Sequence, residues 1–156
     1  MKKFLCVLFL LIVVACDSQS TESNNHTDSS FEVNNQTLHG EEGKFGIIKV
    51  NGEENEPEFI AGTVGRLYYL YFWGNEDGMI GKEYRMEATH QETGETKILY
   101  EDMIQRPFSE TNIDADAASG AKFAFNTEDA GWWTIDIFID DEPFSSFMIE
   151  AKTLES

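Results

Sequence analysis

The 156-residue chain is predicted to be an all-β protein, an immunoglobulin-like antiparallel β-sandwich of about seven strands, with a small β-barrel as the alternative. Three observations carry this prediction. Apolar residues recur with period two in short runs, turn clusters of Gly, Asn, Asp and Pro separate the runs, and no stretch has the period of an amphipathic helix. Most of the runs are polar on alternate residues, which suits antiparallel sheets wetted on one side better than a parallel α/β sheet. With 41% hydrophobic and 13% aromatic residues, the chain has material for a packed core despite a net charge of −18.

The elements follow in chain order. Lys2 and Lys3 precede residues 4–15, which carry no charge and form a basic and then an apolar region of signal-peptide length. A bilayer-spanning helix needs about 20 apolar residues, so this run is too short to cross. Its end, Val13-Val14-Ala15-Cys16, resembles the lipobox of bacterial lipoproteins, with an aliphatic residue three before the cysteine and a small one just before it. The resemblance implies a signal peptide over 1–15, cleavage after Ala15, and acylation of Cys16, by which the membrane itself becomes a partner. An ordinary secretory signal with an incidental Cys16 is the competing reading. Cys6 lies in the removed segment, so Cys16 is the only mature cysteine and no intramolecular disulfide can form. The expected location is the extracytoplasmic face of the cell membrane. Asp17 resembles an inner-membrane retention signal if the cell is Gram-negative and carries no message if it is Gram-positive.

Residues 16–43 are rich in Ser, Thr, Asn, Gln and acids and have no sustained apolar period, so they read as a lipid-anchored flexible linker with a reach on the order of 25–30 Å. The folded domain is expected over 44–152, with 153–156 as a tail. Its first strand, 44–50, ends at the turn dipeptide Asn51-Gly52. An aromatic strand over 66–73 follows, closed by residues 74–78. Residues 83–90 alternate with Tyr84, Met86 and Ala88 on one face, and 95–101 form the hairpin partner. Residues 121–125 turn Ala121, Phe123 and Phe125 inward. Residues 132–140 turn Trp133, Ile135, Ile137 and Ile139 inward, and 144–151 make the last strand. Residues 103–120 are the least regular and read as a crossing loop or a short helical turn.

Several motifs in this body resemble a group of small lipoproteins of Bacillus and relatives that share a domain of unknown function. The resemblance lies in Pro57, Phe59-Ile60-Ala61-Gly62, Phe72-Trp73-Gly74, His90-Gln91-Glu92-Thr93-Gly94-Glu95, Asp114-Ala115-Asp116-Ala117 and Gly131-Trp132-Trp133. It implies a sandwich and no particular activity. In those proteins a histidine precedes Phe-Trp-Gly. Tyr71 stands there in this chain, so no imidazole role carries over.

Charge excludes one partner class. Eleven Lys and Arg against 29 Asp and Glu give no cationic footprint for nucleic acid. Cleavage at Ala15 removes two lysines and no acid, leaving 9 bases against 29 acids, or −20. No nucleophile elbow, phosphate loop or HExxH motif is present, no catalytic residue stands out, and no cofactor is implied. Paired carboxylates such as Asp140-Asp141 and Glu41-Glu42 leave an enzyme acting on envelope glycans or peptides as a rival reading, although solvated turns explain them too. Asn112, Asp114 and Asp116 place oxygens at alternate positions, as a calcium loop begins. Ala117 and Phe123 then stand where the loop's glycine and closing glutamate belong, so a weak divalent-cation surface competes with a plain acidic turn.

The aromatic strand is apolar on both faces. Either it is central, with one face in the core and the other under a loop, or it exposes Tyr69, Tyr71 and Trp73 as a row of rings for glycan or protein recognition. Trp132 and Phe138, opposite the inward isoleucines, raise the same choice. The function expected is a membrane-anchored binding or accessory module, with an envelope protein or glycan as partner.

Overall fold

The computed structural model describes residues 26–62 and 64–154. The signal sequence, Cys16 and the first part of the expected linker lie outside them. The described chain is all-β and folds into two packed five-stranded sheets, as the periodicity requires. Sheet A has the order β1 (Ser30–Val33), β2 (Gln36–Glu41), β3 (Phe45–Lys49), β5 (Arg66–Phe72) and β8 (Ala117–Phe123). Sheet B has the order β4 (Phe59–Ile60), β10 (Glu142–Lys152), β9 (Gly131–Ile139), β6 (Glu83–His90) and β7 (Thr96–Met103). A one-turn helix, α1 (Glu76–Met79), and a 3-10 turn (Thr127–Asp129) sit in connections.

The core between the sheets is built from the inward faces the alternation predicts. Trp133, Ile135, Ile137 and Ile139 of β9, Tyr84, Met86 and Ala88 of β6, and Ala121, Phe123 and Phe125 around β8 are all buried there. Burial of a large apolar side chain stabilises by about 1.5–3 kcal/mol, so this layer dominates the folding energy. Phe125 and Trp133 pack at 4.8 Å, and Tyr68 stacks between Phe59 (5.6 Å) and Phe123 (4.3 Å).

Three expectations need correction. The linker ends earlier than residue 43, because Ser30–Val33 and Gln36–Glu41 form a hairpin that extends sheet A. Asn34 and Asn35 have φ of 49° and 65°, the paired left-handed geometry of a two-residue hairpin turn that asparagine tolerates. Three apolar side chains suffice to dock the hairpin: Leu38 is buried, and Phe31 and Val33 pack beside it. Gly46 is what admits them, since a Cβ there would lie 2.6 Å from Leu38 and 2.9 Å from Phe31. The described residues form ten strands rather than about seven. The sandwich is also not wholly antiparallel, because β4 pairs with β10 in parallel.

The barrel alternative is visible at the corners. Ser29 donates its N–H to the Met148 carbonyl of sheet B (3.0 Å) and accepts from the Gly40 N–H of sheet A (2.9 Å). At the opposite edge Gln105 and Ala118 exchange backbone bonds of 2.8 and 3.0 Å, linking the end of β7 to β8. Of the irregular stretch 103–120, residues 117–120 belong to β8 and 104–116 cross the outer face of sheet A.

Candidate functional site

The rings of β5 alternate between two environments. Tyr68, Leu70 and Phe72 point into the core, whereas Tyr69, Tyr71 and Trp73 point out over sheet A. There the loop 104–116 covers most of that outer row, supplying Phe108, Ile113 and Ala115. Tyr71 is 1% exposed, and burial raises its phenol pKa against the opposing hydrogen bond to Thr111. Trp73 donates its indole N–H to the Asp114 carbonyl at 2.7 Å, with Phe31 edge-on at 6.0 Å.

Each of the two sheet B candidates has a residue of the chain over its ring, although Phe138 also lines a depression of about 640 Å³ with Pro143 and Phe144. His26 stacks on Trp132 at 5.5 Å, and the Arg85 guanidinium lies 4.7 Å over the Phe138 ring. Arg85 is fixed there by ion pairs to Glu87 (2.8 Å) and Asp141.

Tyr69 differs from the other four. Phe108 flanks it at 4.4 Å, but its cross-strand neighbours are Ile48 on β3 and Gly120 on β8. A Cβ on Gly120 would meet only the Tyr68 carbonyl oxygen, at 4.0 Å, so this flank of Tyr69 has no side chain on it. Two depressions adjoin at Tyr69 and Val50. One, of about 310 Å³, is lined by Gln36, Ile48, Tyr71, Thr111 and Asn112 among others. The second, of about 270 Å³, is lined by Leu67, Tyr100, Gly120 and Lys122. Val50 and Leu67 are each 44% exposed at their junction. Together they form a groove across strands β3, β5 and β8, of the size small ligands and polymer segments use.

Polar groups mark both ends. The Gln36 side-chain oxygen is buried without a hydrogen-bond partner among the described residues, an arrangement that costs about 1–3 kcal/mol. Lys122 lies across Gly65, its Cε 3.1 Å from where a Cβ would stand. The Lys49 ammonium is engaged elsewhere, with Glu58 at 3.3 Å and the carbonyls of Glu53 and Glu56.

The acidic candidates are dispersed. The Asp116 carboxylate accepts the Gly74 N–H at 2.6 Å, Asp114 and Asn112 are exposed, and the Asn112 carbonyl accepts from the Asn34 side chain. Among the described residues no group of three His, Cys, Asp or Glu is placed to hold a metal. Asp140 and Asp141 form the exposed turn between β9 and β10. Glu41, Glu56 and Asp129 are held below the ordinary carboxylate range by hydrogen bonds from Lys44, Arg66 and Lys97, opposite to what a general acid requires.

Gly120, Lys122, Gln36 and Val50 were not singled out by the sequence. An isolated glycine inside a strand was the available signal, because it marks a place where something approaches the sheet closely.

The geometry defines an all-β sandwich with an open aromatic groove on the outer face of sheet A. No protein-family model and no curated protein sequence matches the chain. Among solved structures it is similar to the crystal structure of a chain from Bacillus anthracis described as a candidate lipoprotein, with a TM-score of 0.55, 18% identity, and coverage of 82% of this chain and 87% of that one. At that identity the likeness shows the fold.

Proposed function

We propose that the protein is a lipid-anchored extracytoplasmic binding module, tethered through Cys16, that takes its ligand in the sheet A groove at Tyr69. The observation that carries the binding reading is the open flank of Tyr69 beside Gly120, whereas Tyr71, Trp73, Trp132 and Phe138 each have a residue of the chain packed against the ring. The lipobox, together with the likeness to a described Bacillus anthracis lipoprotein, supports the anchor.

Chain entry supports the orientation. His26 lies on the outer face of sheet B, and ten residue steps separate it from Cys16, at most about 36 Å when extended. That entry leaves the groove on the opposite face, away from the side tied to the anchor.

Two variants test the two parts. In the native cells, Cys16→Ser should abolish labelling by an alkyne fatty acid and move the protein out of the membrane fraction; persistence of either would sink the anchor. Gly120→Val fills the open flank and places a β-branched residue in a strand, so it should keep or raise the melting temperature. With a photo-crosslinker at Leu67, it should abolish the adduct seen in the parent chain. An undiminished adduct would refute the groove.

A further inference from the structure

We infer that the ligand of the groove is a glycan segment that carries a carboxylate, an inference that rests on the groove reading above. The first argument is the state of the cations. Nine Lys and Arg lie in the described residues, and eight are engaged: seven in ion pairs to acids, and Arg106 also with a partner. Lys122 has no ion pair or hydrogen bond among the described residues. In a chain with 29 acids that is unexpected, and no carboxylate lines the depression beside it. Charges beyond about 8 Å are largely screened at physiological salt, so acids farther than that from Lys122 do not cancel its charge.

The second argument is what the floor offers. The floor between β3, β5 and β8 spends its backbone groups in the ladders that join these strands, and a peptide adding to the outer side of β8, the edge of sheet A, would lie beside the groove and not across the Tyr69 ring. Recognition falls to a tyrosine ring and to side-chain polar groups. A pyranose ring presents an apolar C–H face to Tyr69 and hydroxyl or N-acetyl donors at its rim. Gln36 lines this end, and turning its amide toward the groove would let such a donor satisfy the buried, unpaired oxygen, which an aliphatic chain could not do. The polarity is therefore fixed. The neutral, hydrogen-bonding end lies at Gln36 and Thr111, beside Glu110, and the carboxylate lies at Lys122.

The test compares two probes against the full chain in mild detergent by titration calorimetry. One is a tetrasaccharide of alternating N-acetylglucosamine and N-acetylmuramic acid, whose lactyl ether bears a carboxylate. The other is the uncharged tetramer of N-acetylglucosamine. The acidic probe should bind at least five-fold tighter, and Lys122→Gln should erase that difference by weakening the acidic probe more than the neutral one. Equal affinities, no binding of either probe, or a Lys122→Gln variant that keeps the preference would overturn the inference. Failure here with loss of the cellular adduct in Gly120→Val removes the ligand class and keeps the groove; an adduct surviving Gly120→Val removes both.

Discussion

Tyr84 and Ser119 meet at the centre of the sandwich, where the phenol donates to the Ser119 hydroxyl at 3.1 Å and both residues are buried. Burial raises the phenol pKa of Tyr84 and likewise of Tyr68, whose hydroxyl donates to the Glu58 carbonyl at 2.9 Å. Ser119→Ala leaves the Tyr84 hydroxyl unpaired in the core, and chemical denaturation should show a loss of about 1–3 kcal/mol. Because the folded state holds both phenols protonated, stability is complete below pH ~10, where unfolded tyrosine titrates, and falls as pH rises beyond it. At the acid end the sign reverses. Asp129 is bound by Lys97 at 2.7 Å, and its pKa is lowered chiefly by that hydrogen bond. Its contribution is present above the ordinary carboxylate pKa of about 4 and is lost as pH falls through the lowered folded value. Lys97 also lies 4.6 Å over Trp133 and 5.0 Å over Phe125. Thermal melts of Lys97→Met should therefore differ less between pH 7 and pH 3 than those of the parent chain. An unchanged difference would show that this pair does not control acid stability.

At the scale of elements, the β1–β2 hairpin at the edge of sheet A depends on one glycine. Gly46→Ala would drive a methyl group into Leu38 and Phe31, so the hairpin should lift before the core does. Overpacking of this kind costs about 1–3 kcal/mol. Hydrogen exchange should show residues 30–33 losing protection while β9 and β10 keep theirs; uniform loss would mean that the hairpin and core unfold together. The loop 104–116 is held differently, by polar bonds from Trp73 to Asp114 and from Gly74 to Asp116. Those two aspartates had suggested a cation. Their geometry instead fastens the loop over the outer rings, which is why Tyr71 and Trp73 are less open than their sequence implies.

For the whole molecule, the corner bonds make the boundary of the folded unit a physical question. The strap 26–29 joins the sheets through Ser29, pairs Asp28 with the buried His39 at 3.1 Å, and stacks His26 on Trp132. A chain beginning at Lys44, the boundary read from composition, removes two strands and with them Leu38, Phe31 and Val33 of the outer apolar cluster. By circular dichroism it should melt well below a chain beginning at His26, since the main core is kept and the hairpin cluster is lost. Equal melting temperatures would restore the longer linker. Net charge acts at this scale as well. At −18 the folded chain repels itself, so added salt should raise the melting temperature by screening.

What the sequence determined by itself was the class of fold and the inward face of each long strand, because period-two alternation records which side chains leave water. The inward residues of β6 and β9 are those the alternation names. It could not assign the Ser- and Asn-rich hairpin, whose few apolar residues become a signal only once Gly46 offers them a seat, although the Asn34-Asn35 turn was a readable hint. Nor could it choose among five half-apolar aromatics. That choice depended on residues distant in sequence, His26 over Trp132, Arg85 over Phe138 and the 104–116 loop over Tyr71, and on the absence of a side chain at Gly120. Ring exposure is set by what arrives from elsewhere in the chain, and only the tertiary structure brings those neighbours together.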